Sequence, residues 1–317
     1  MSVPFFTSPP VPGACPRLRY AAHAGDEELI SRLLQARSFG ELTVPLVDRA
    51  APYEGIVPGE LLRRTYRFAD RDGEILLLRS DFTPVVARTL APILDGASLP
   101  LRAFYRGEIV RVEESASARG GTRRQIGAEI VGGDVESVDS EILRIVAEIC
   151  SSTGLRCTVA LSDASLLDAI VDGADDEKTK IALRIAIASK RRETLSELGT
   201  RLPEELAQVA GKFIRGTLSI DDLLGCDNTR AAGARLARLE RMMEELDGVQ
   251  FARPVLAIDS AERDRSYYTG FRFAAFTPGA TEPIASGGRY DQLYERFGSA
   301  APAAGFTFDL DFVERLR

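Results

Sequence analysis

The sequence predicts an α+β fold: an antiparallel sheet with flanking helices, interrupted by a helical insertion. Three observations carry this. Strand-like runs in the first half follow one another as hairpins, without the strand–helix–strand alternation of a Rossmann arrangement. The stretch from Asp163 to Leu246 is helical in pattern almost throughout, broken at Gly173, Gly199 to Pro203, Gly216 and Gly225-Cys226-Asp227. Strand-like runs then return. The expected division is a first part of the core at residues 1–162, a helical insertion at 163–250 and a second part of the core at 251–317.

Taken in order, residues 1–20 are rich in Pro and small residues and read as an irregular arm. Asp26 opens a helix with Leu29, Ile30, Leu33 and Leu34 on one face, ending near Gly40. Leu42 to Val47 is strand-like but carries Pro45, which belongs at a sheet edge or an interface. Tyr66 to Leu78 reads as a hairpin around the turn Asp70-Arg71-Asp72-Gly73. Ser80 or Asp81 caps a helix from Phe82 to Leu94, with Pro84 tolerated in its first turn. Leu101 to Val112 and Arg124 to Val131 are two strands joined by a polar loop, Glu113 to Arg123. A helix from Val138 to Thr153 ends at Gly154 and leads to a strand, Cys157 to Leu161. Beyond the insertion, strands are expected at Val255 to Ile258, Tyr267 to Ala275, Ile284 to Ser286 and Gly305 to Leu310.

The bulk numbers exclude several classes of function. The formal net charge of −7 over 317 residues argues against a nucleic-acid surface, which needs an excess of Lys and Arg. No apolar stretch approaches the roughly 20 residues that span a bilayer, and the N-terminus shows no secretory signal. Cys15, Cys150, Cys157 and Cys226 form no CxxC pair and no metal spacing, so they read as buried free thiols in a reducing cytoplasm. His23 is the single histidine, which rules out a metal site built on two.

Three segments place polar residues inside strand-like or capping positions. In Gln125-Ile126-Gly127-Ala128-Glu129 the period of two puts Gln125, Gly127 and Glu129 on one face. That face is either an exposed side of the sheet or a pocket floor, with Gly127 leaving space for an amino-bearing ligand. Asp81 and Thr83 are either cap residues or a carboxylate and hydroxyl for an ammonium group. Arg111 closes a strand, as a solvated charge or as a clamp for a carboxylate.

Together these segments resemble the class II aminoacyl-tRNA synthetases, and within them the histidine-specific branch. Ser38 to Pro45 is similar to the first motif of that family and Phe104 to Glu129 to the second. The specific matches are Tyr267-Tyr268-Thr269-Gly270 and Gly287-Gly288-Arg289-Tyr290-Asp291, and the likeness runs from about Gly13 to the C-terminus. The resemblance implies a class II aminoacyl-tRNA synthetase-like fold and a histidine pocket at Asp81, Thr83, Arg111, Gln125, Glu129, Tyr267 and Tyr268. Arg263 falls where the family carries an arginine near the histidine carboxylate, although Asp264-Arg265-Ser266 departs from the pattern. Thr307 is expected to lie outside this pocket.

The ATP half departs from the family. Gly121, Thr122 and Arg123 replace an Arg-x-Phe run whose ring stacks on adenine. In Gly305 to Phe312, Asp309 stands at a glycine and Phe312 at an ATP-binding arginine. An acid gained and a cation lost beside a triphosphate both disfavour binding. No anticodon-binding domain is expected, since the chain stops at Arg317 directly after this motif. The resemblance therefore implies no catalytic residue, cofactor or metal. It implies a cytoplasmic, non-catalytic regulatory subunit needed for activity and histidine feedback of a short-form ATP phosphoribosyltransferase catalytic subunit. That enzyme performs the first step of histidine biosynthesis. The partners implied are that catalytic subunit, histidine as effector and a second copy of this chain joined through Ser38 to Pro45, as a dimer within a hetero-oligomer, with no nucleic acid and no membrane. The alternative is a paralogue that still adenylates an amino acid: Arg111 favours it, while Asp309, Phe312 and Arg123 oppose it.

Overall fold

Hairpin succession in the first half of the chain does build a sheet, and the helices interrupt it as the pattern requires. The computed structural model describes residues 24–57, 59–112, 121–198, 201–244, 249–251, 267–280 and 282–316. Cys15, His23, the expected strand Val255–Ile258 and Arg263 lie outside the described residues.

Helix α1 (Ala24–Ala36) leads into a short strand β1 (Gly40–Glu41). A small three-stranded sheet follows, with β4 (Ile75–Leu78) between β2 (Val47–Arg49) and β3 (Arg67–Ala69), and helix α2 (Gly59–Arg63) lies between β2 and β3 in the chain. The strand expected from Leu42 to Val47 does not form, and β1 and β2 join different sheets on either side of Pro45. Pro45 has no N–H to give a ladder. The carbonyls of Val44 and Pro45 instead accept from the Arg79 guanidinium at 2.9 and 3.1 Å, which pins this segment as a bend.

The main sheet runs β1, β5 (Leu101–Val110), β6 (Thr122–Val131), β11 (Ala303–Asp309), β10 (Ala285–Arg289), β9 (Phe271–Phe276), β7 (Cys157–Asp163), β8 (Val249–Phe251). Its six inner strands are antiparallel, as expected, but β1 beside β5 and β8 beside β7 are parallel, so the sheet is mixed at both edges.

The period of two in β6 sorts the two faces. Ile126, Ala128 and Ile130 join Phe306 and Phe308 of β11 in one apolar cluster with the helices. Those helices include α1, α4 (Val135–Ser152), capped by Asp134 accepting from the Ser137 amide at 2.9 Å, and, among the described residues, six more between β7 and β8. The six are α5 (Leu166–Asp172), α6 (Glu177–Ala188), α7 (Arg192–Leu198), α8 (Glu204–Arg215), α9 (Ile220–Gly225) and α10 (Arg230–Glu244). They share a continuous core with the sheet instead of building one of their own. Tyr105, Val131 and Ala303 face the other way, toward α3 (Phe82–Leu90). This helix is shorter than expected, because the chain tightens to a 3₁₀ turn over Ala91–Gly96 where Pro92 enters.

Cys150 and Cys157 are joined as a disulfide, contrary to the expectation of free thiols, while Cys226 is free and buried. Gly154, at φ +70°, reverses the chain after α4 and brings the first residue of β7 beside the last turn of the helix, with the two Cα atoms 6.3 Å apart. Among the described residues no helix is long and apolar enough to cross a membrane.

Candidate functional site

The sheet face turned away from the helical cluster carries a cavity of about 80 Å³. Its floor comes from Gln125 of β6, Gly305 and Thr307 of β11, and Ser286 and Gly287 of β10. Asp81 and Thr83 enter from the N-terminus of α3, Arg111 from the end of β5, Tyr267 and Tyr268 from the approach to β9, and Tyr290 from the end of β10.

Asp81 is both cap and pocket residue. One carboxylate oxygen accepts from the Thr83 amide at 2.9 Å, which starts α3. The other accepts from Arg111 and from the Tyr267 hydroxyl, each at 3.4 Å. Arg111 also gives its Nε–H to the Ser80 carbonyl at 2.7 Å, which aims the guanidinium along the cavity wall. The two tyrosines stand outside the strand expected at Tyr267 to Ala275, which begins only at Phe271. Thr269 causes this: its amide donates to the Arg289 carbonyl at 2.7 Å, and its hydroxyl accepts from the Asp291 amide at 2.9 Å. The Tyr-Tyr-Thr-Gly and Gly-Gly-Arg-Tyr-Asp segments thus lock together, with Arg289 bound to Asp139 of α4 beneath them at 2.7 Å.

Glu129 does not line the cavity. It is fully buried behind the wall, where its Oε1 accepts from Thr83 at 3.0 Å and from Tyr105 at 3.1 Å. Its Oε2 is buried with no hydrogen-bond partner among the described residues. A Cβ on Gly305 would lie 1.6 Å from that oxygen, so the glycine makes room for the carboxylate. Burial pushes the Glu129 carboxyl up to about 8, against the pull of its two hydroxyl donors, with the charge of Asp81 adding to the rise. The Tyr290 and Tyr294 hydroxyls are likewise buried without protein partners, and burial together with Glu129 raises the Tyr294 phenol well above its ordinary range.

Two further expectations change. Gly127 does not leave room for a ligand: Tyr105, its partner across the β5–β6 ladder, fills the space, and a Cβ at 127 would meet the Tyr105 hydroxyl at 2.6 Å. Thr307 lines the cavity instead of lying outside it, within 3.2 Å of the Tyr105 hydroxyl. Ser286, Tyr105 and Gly305 are not legible as site residues in the sequence, because only strand register sets Ser286 opposite Thr307, Tyr105 opposite Gly127 and Gly305 opposite Glu129. Tyr290 was legible as part of its motif.

A larger cavity, about 270 Å³, adjoins the first and shares Arg111, Gln125, Ser286 and Thr307 with it. Asp309 and Arg123 both line it. Asp309 Oδ1 accepts from the Phe312 amide at 2.8 Å, at the start of α12 (Leu310–Leu316), the next helix after α11 (Asp291–Arg296). Burial raises its carboxyl, against that amide and the nearby Arg123 charge. Phe312 is buried in the core. Chemically, the smaller cavity offers a carboxylate, a guanidinium, an amide and several hydroxyls within one amino acid's reach. The larger one sets two acids, Glu282 and Asp309, among three arginines.

The sequence model described as Histidyl-tRNA synthetase matches residues 20–313. A protein from Moorella thermoacetica named ATP phosphoribosyltransferase regulatory subunit is 30% identical over 298 residues, covering 90% of this chain and 76% of that protein. A crystal structure of an ATP phosphoribosyltransferase regulatory subunit/histidyl-tRNA synthetase from Bacillus halodurans superposes with a TM-score of 0.80 at 23% identity, over 100% of this chain and 85% of the other. A chain of the ATP phosphoribosyl transferase complex from Thermotoga maritima has a TM-score of 0.65 at 16% identity, over 92% and 98%. The last two, at such identities, speak to the fold alone.

Proposed function

Since this chain belongs to the histidyl-tRNA synthetase family, and within it to the ATP phosphoribosyltransferase regulatory subunits, we propose that it binds free histidine, catalyses no reaction itself, and confers activity and histidine feedback on a short-form catalytic subunit. The enzyme served is ATP phosphoribosyltransferase, in the first step of histidine biosynthesis, and the setting is cytoplasmic. The relative from Thermotoga maritima was solved within such a complex, which supports a hetero-oligomer here too.

One observation carries the reading: two adjoining cavities share a wall, and the smaller gathers a carboxylate, a guanidinium, an amide and hydroxyls in a space of amino-acid size. Asp81 faces an ammonium and Arg111 a carboxylate. Thr83, backed by Glu129, and the tyrosines face a polar ring. Asp309 in the larger cavity and Phe312 in the core support the absence of adenylation, against the adenylating alternative. We include in the proposal a dimer through the region of Ser38 to Pro45. The small sheet beside it leaves Val47 and Phe68 exposed on the side opposite the buried Leu77, as a face that meets another surface would.

The test is reconstitution. The chain is co-purified with a short ATP phosphoribosyltransferase, and phosphoribosyl transfer is followed with and without it and over a histidine titration. Activity and histidine inhibition should both require this chain. A catalytic subunit whose rate and histidine response do not change on its addition refutes the proposal.

A further inference from the structure

The larger cavity has the volume and the arginines to take a phosphate-bearing ligand: Arg64, Arg111 and Arg123 all line it. Two carboxylates stand among them. Arg123 reaches Glu282 at 3.3 Å and Asp309 at 3.8 Å, so its guanidinium lies between two acids of the same cavity. Asp309 cannot turn away, because its other oxygen accepts the Phe312 amide that begins α12, and β11 holds it opposite Gln125 in the ladder. Glu282 comes from a different element, the turn before β10, so the clamp closes from two sides of the cavity.

We propose that Glu282 and Asp309 are selectivity residues: by holding Arg123 between them they bar phosphate-bearing compounds from the larger cavity, so that the adjoining amino-acid pocket answers to free amino acid and not to nucleotide. This rests on the reading of the smaller cavity as an amino-acid pocket. A polyanion entering here meets two carboxylates at close range and must break the Arg123 contacts before that guanidinium can serve it. A neutral or zwitterionic ligand in the smaller cavity meets neither cost. A sensor working beside an enzyme that consumes ATP has reason to be built this way.

The experiment measures binding of ATP and of histidine separately, by calorimetry, to the full chain and to Glu282→Gln, Asp309→Asn and the double variant. Asn at 309 keeps a side-chain oxygen for the Phe312 amide, and Glu282 is half-exposed, so the fold is retained on both counts. The double variant should bind ATP about tenfold or more tighter than the parent chain, with the Glu282→Gln variant showing part of the gain and histidine affinity unchanged in both. A double variant that binds ATP no tighter overturns the proposal, and Glu282→Gln decides in the same way if the double variant does not fold. Absence of histidine binding to the parent chain would count against the amino-acid pocket itself, and the ATP titrations would still decide the role of the two acids.

Discussion

The hydroxyl of Thr83 donates to Oε1 of Glu129 at 3.0 Å, joining the first turn of α3 to the middle of β6 behind the candidate pocket. Among the described residues only Tyr105 shares that oxygen and none reaches the second, so the buried carboxyl depends on two hydroxyls. Replacing Thr83 by Val keeps the shape and removes one of them. The expected loss of stability is about 1–3 kcal/mol by urea denaturation. An unchanged midpoint would mean that Glu129 finds another donor.

The titration of Glu129 gives a pH dependence of known sign. In the folded chain the carboxyl is held up to about 8, against an ordinary value of 4.5. Between these values the folded state keeps a proton that the unfolded state has lost, so this group makes stability fall as pH rises. The slope is at most about 1.4 kcal/mol per pH unit, and it vanishes above the upper value. Glu129→Gln should flatten the profile between pH 5 and 8 by roughly that slope. Parallel profiles for the two proteins would contradict the assignment.

Gly305 and Glu129 should be coupled. A Cβ at 305 falls 1.6 Å from Glu129 Oε2, so Gly305→Ala is expected to cost about 3 kcal/mol or more in thermal or urea unfolding. The double variant Gly305→Ala with Glu129→Ala should recover part of that loss, since the clashing oxygen is gone. Simple addition of the two single effects would show that the carboxylate is not what Gly305 accommodates.

Histidine affinity is predicted to depend on Arg111 and Asp81. Arg111→Ala removes a charge-assisted contact to the carboxylate and should weaken binding by roughly 1.5–3 kcal/mol, about ten- to a hundredfold. Thr307→Val is expected to have a smaller effect, through Tyr105, and not none, because Thr307 lines the cavity. Calorimetry with free histidine measures both. Wild-type feedback in a reconstituted complex carrying Arg111→Ala would move the sensing site elsewhere.

Self-association has its own test. Phe68 and Val47 are exposed on the same small sheet, and Phe68→Glu should raise the dimer dissociation constant at least about tenfold in sedimentation. A parent chain that remains a monomer at every concentration would remove the dimer from the proposal.

Local chemistry determined much of this protein in advance. The Asp70 to Gly73 turn, the Asp81 cap, the helical stretch with its glycine breaks and the alternation along β6 were readable because each rests on contacts within a few residues. The two motifs ending in Gly270 and Asp291 pointed to the candidate pocket, and their residues meet in space as well as in pattern. Tertiary structure alone decided the rest. Register put Tyr105 into the space of Gly127 and Gly305 opposite Glu129, turning an expected wall residue into a buried, partly unsatisfied one. The reversal at Gly154 brought Cys150 to Cys157. Arg79, a guanidinium far along the chain, held the Val44–Pro45 bend that the local pattern read as strand. Each of these depends on atoms brought together across the fold, and a period of two or of 3.6 carries no information about which distant backbone will lie opposite.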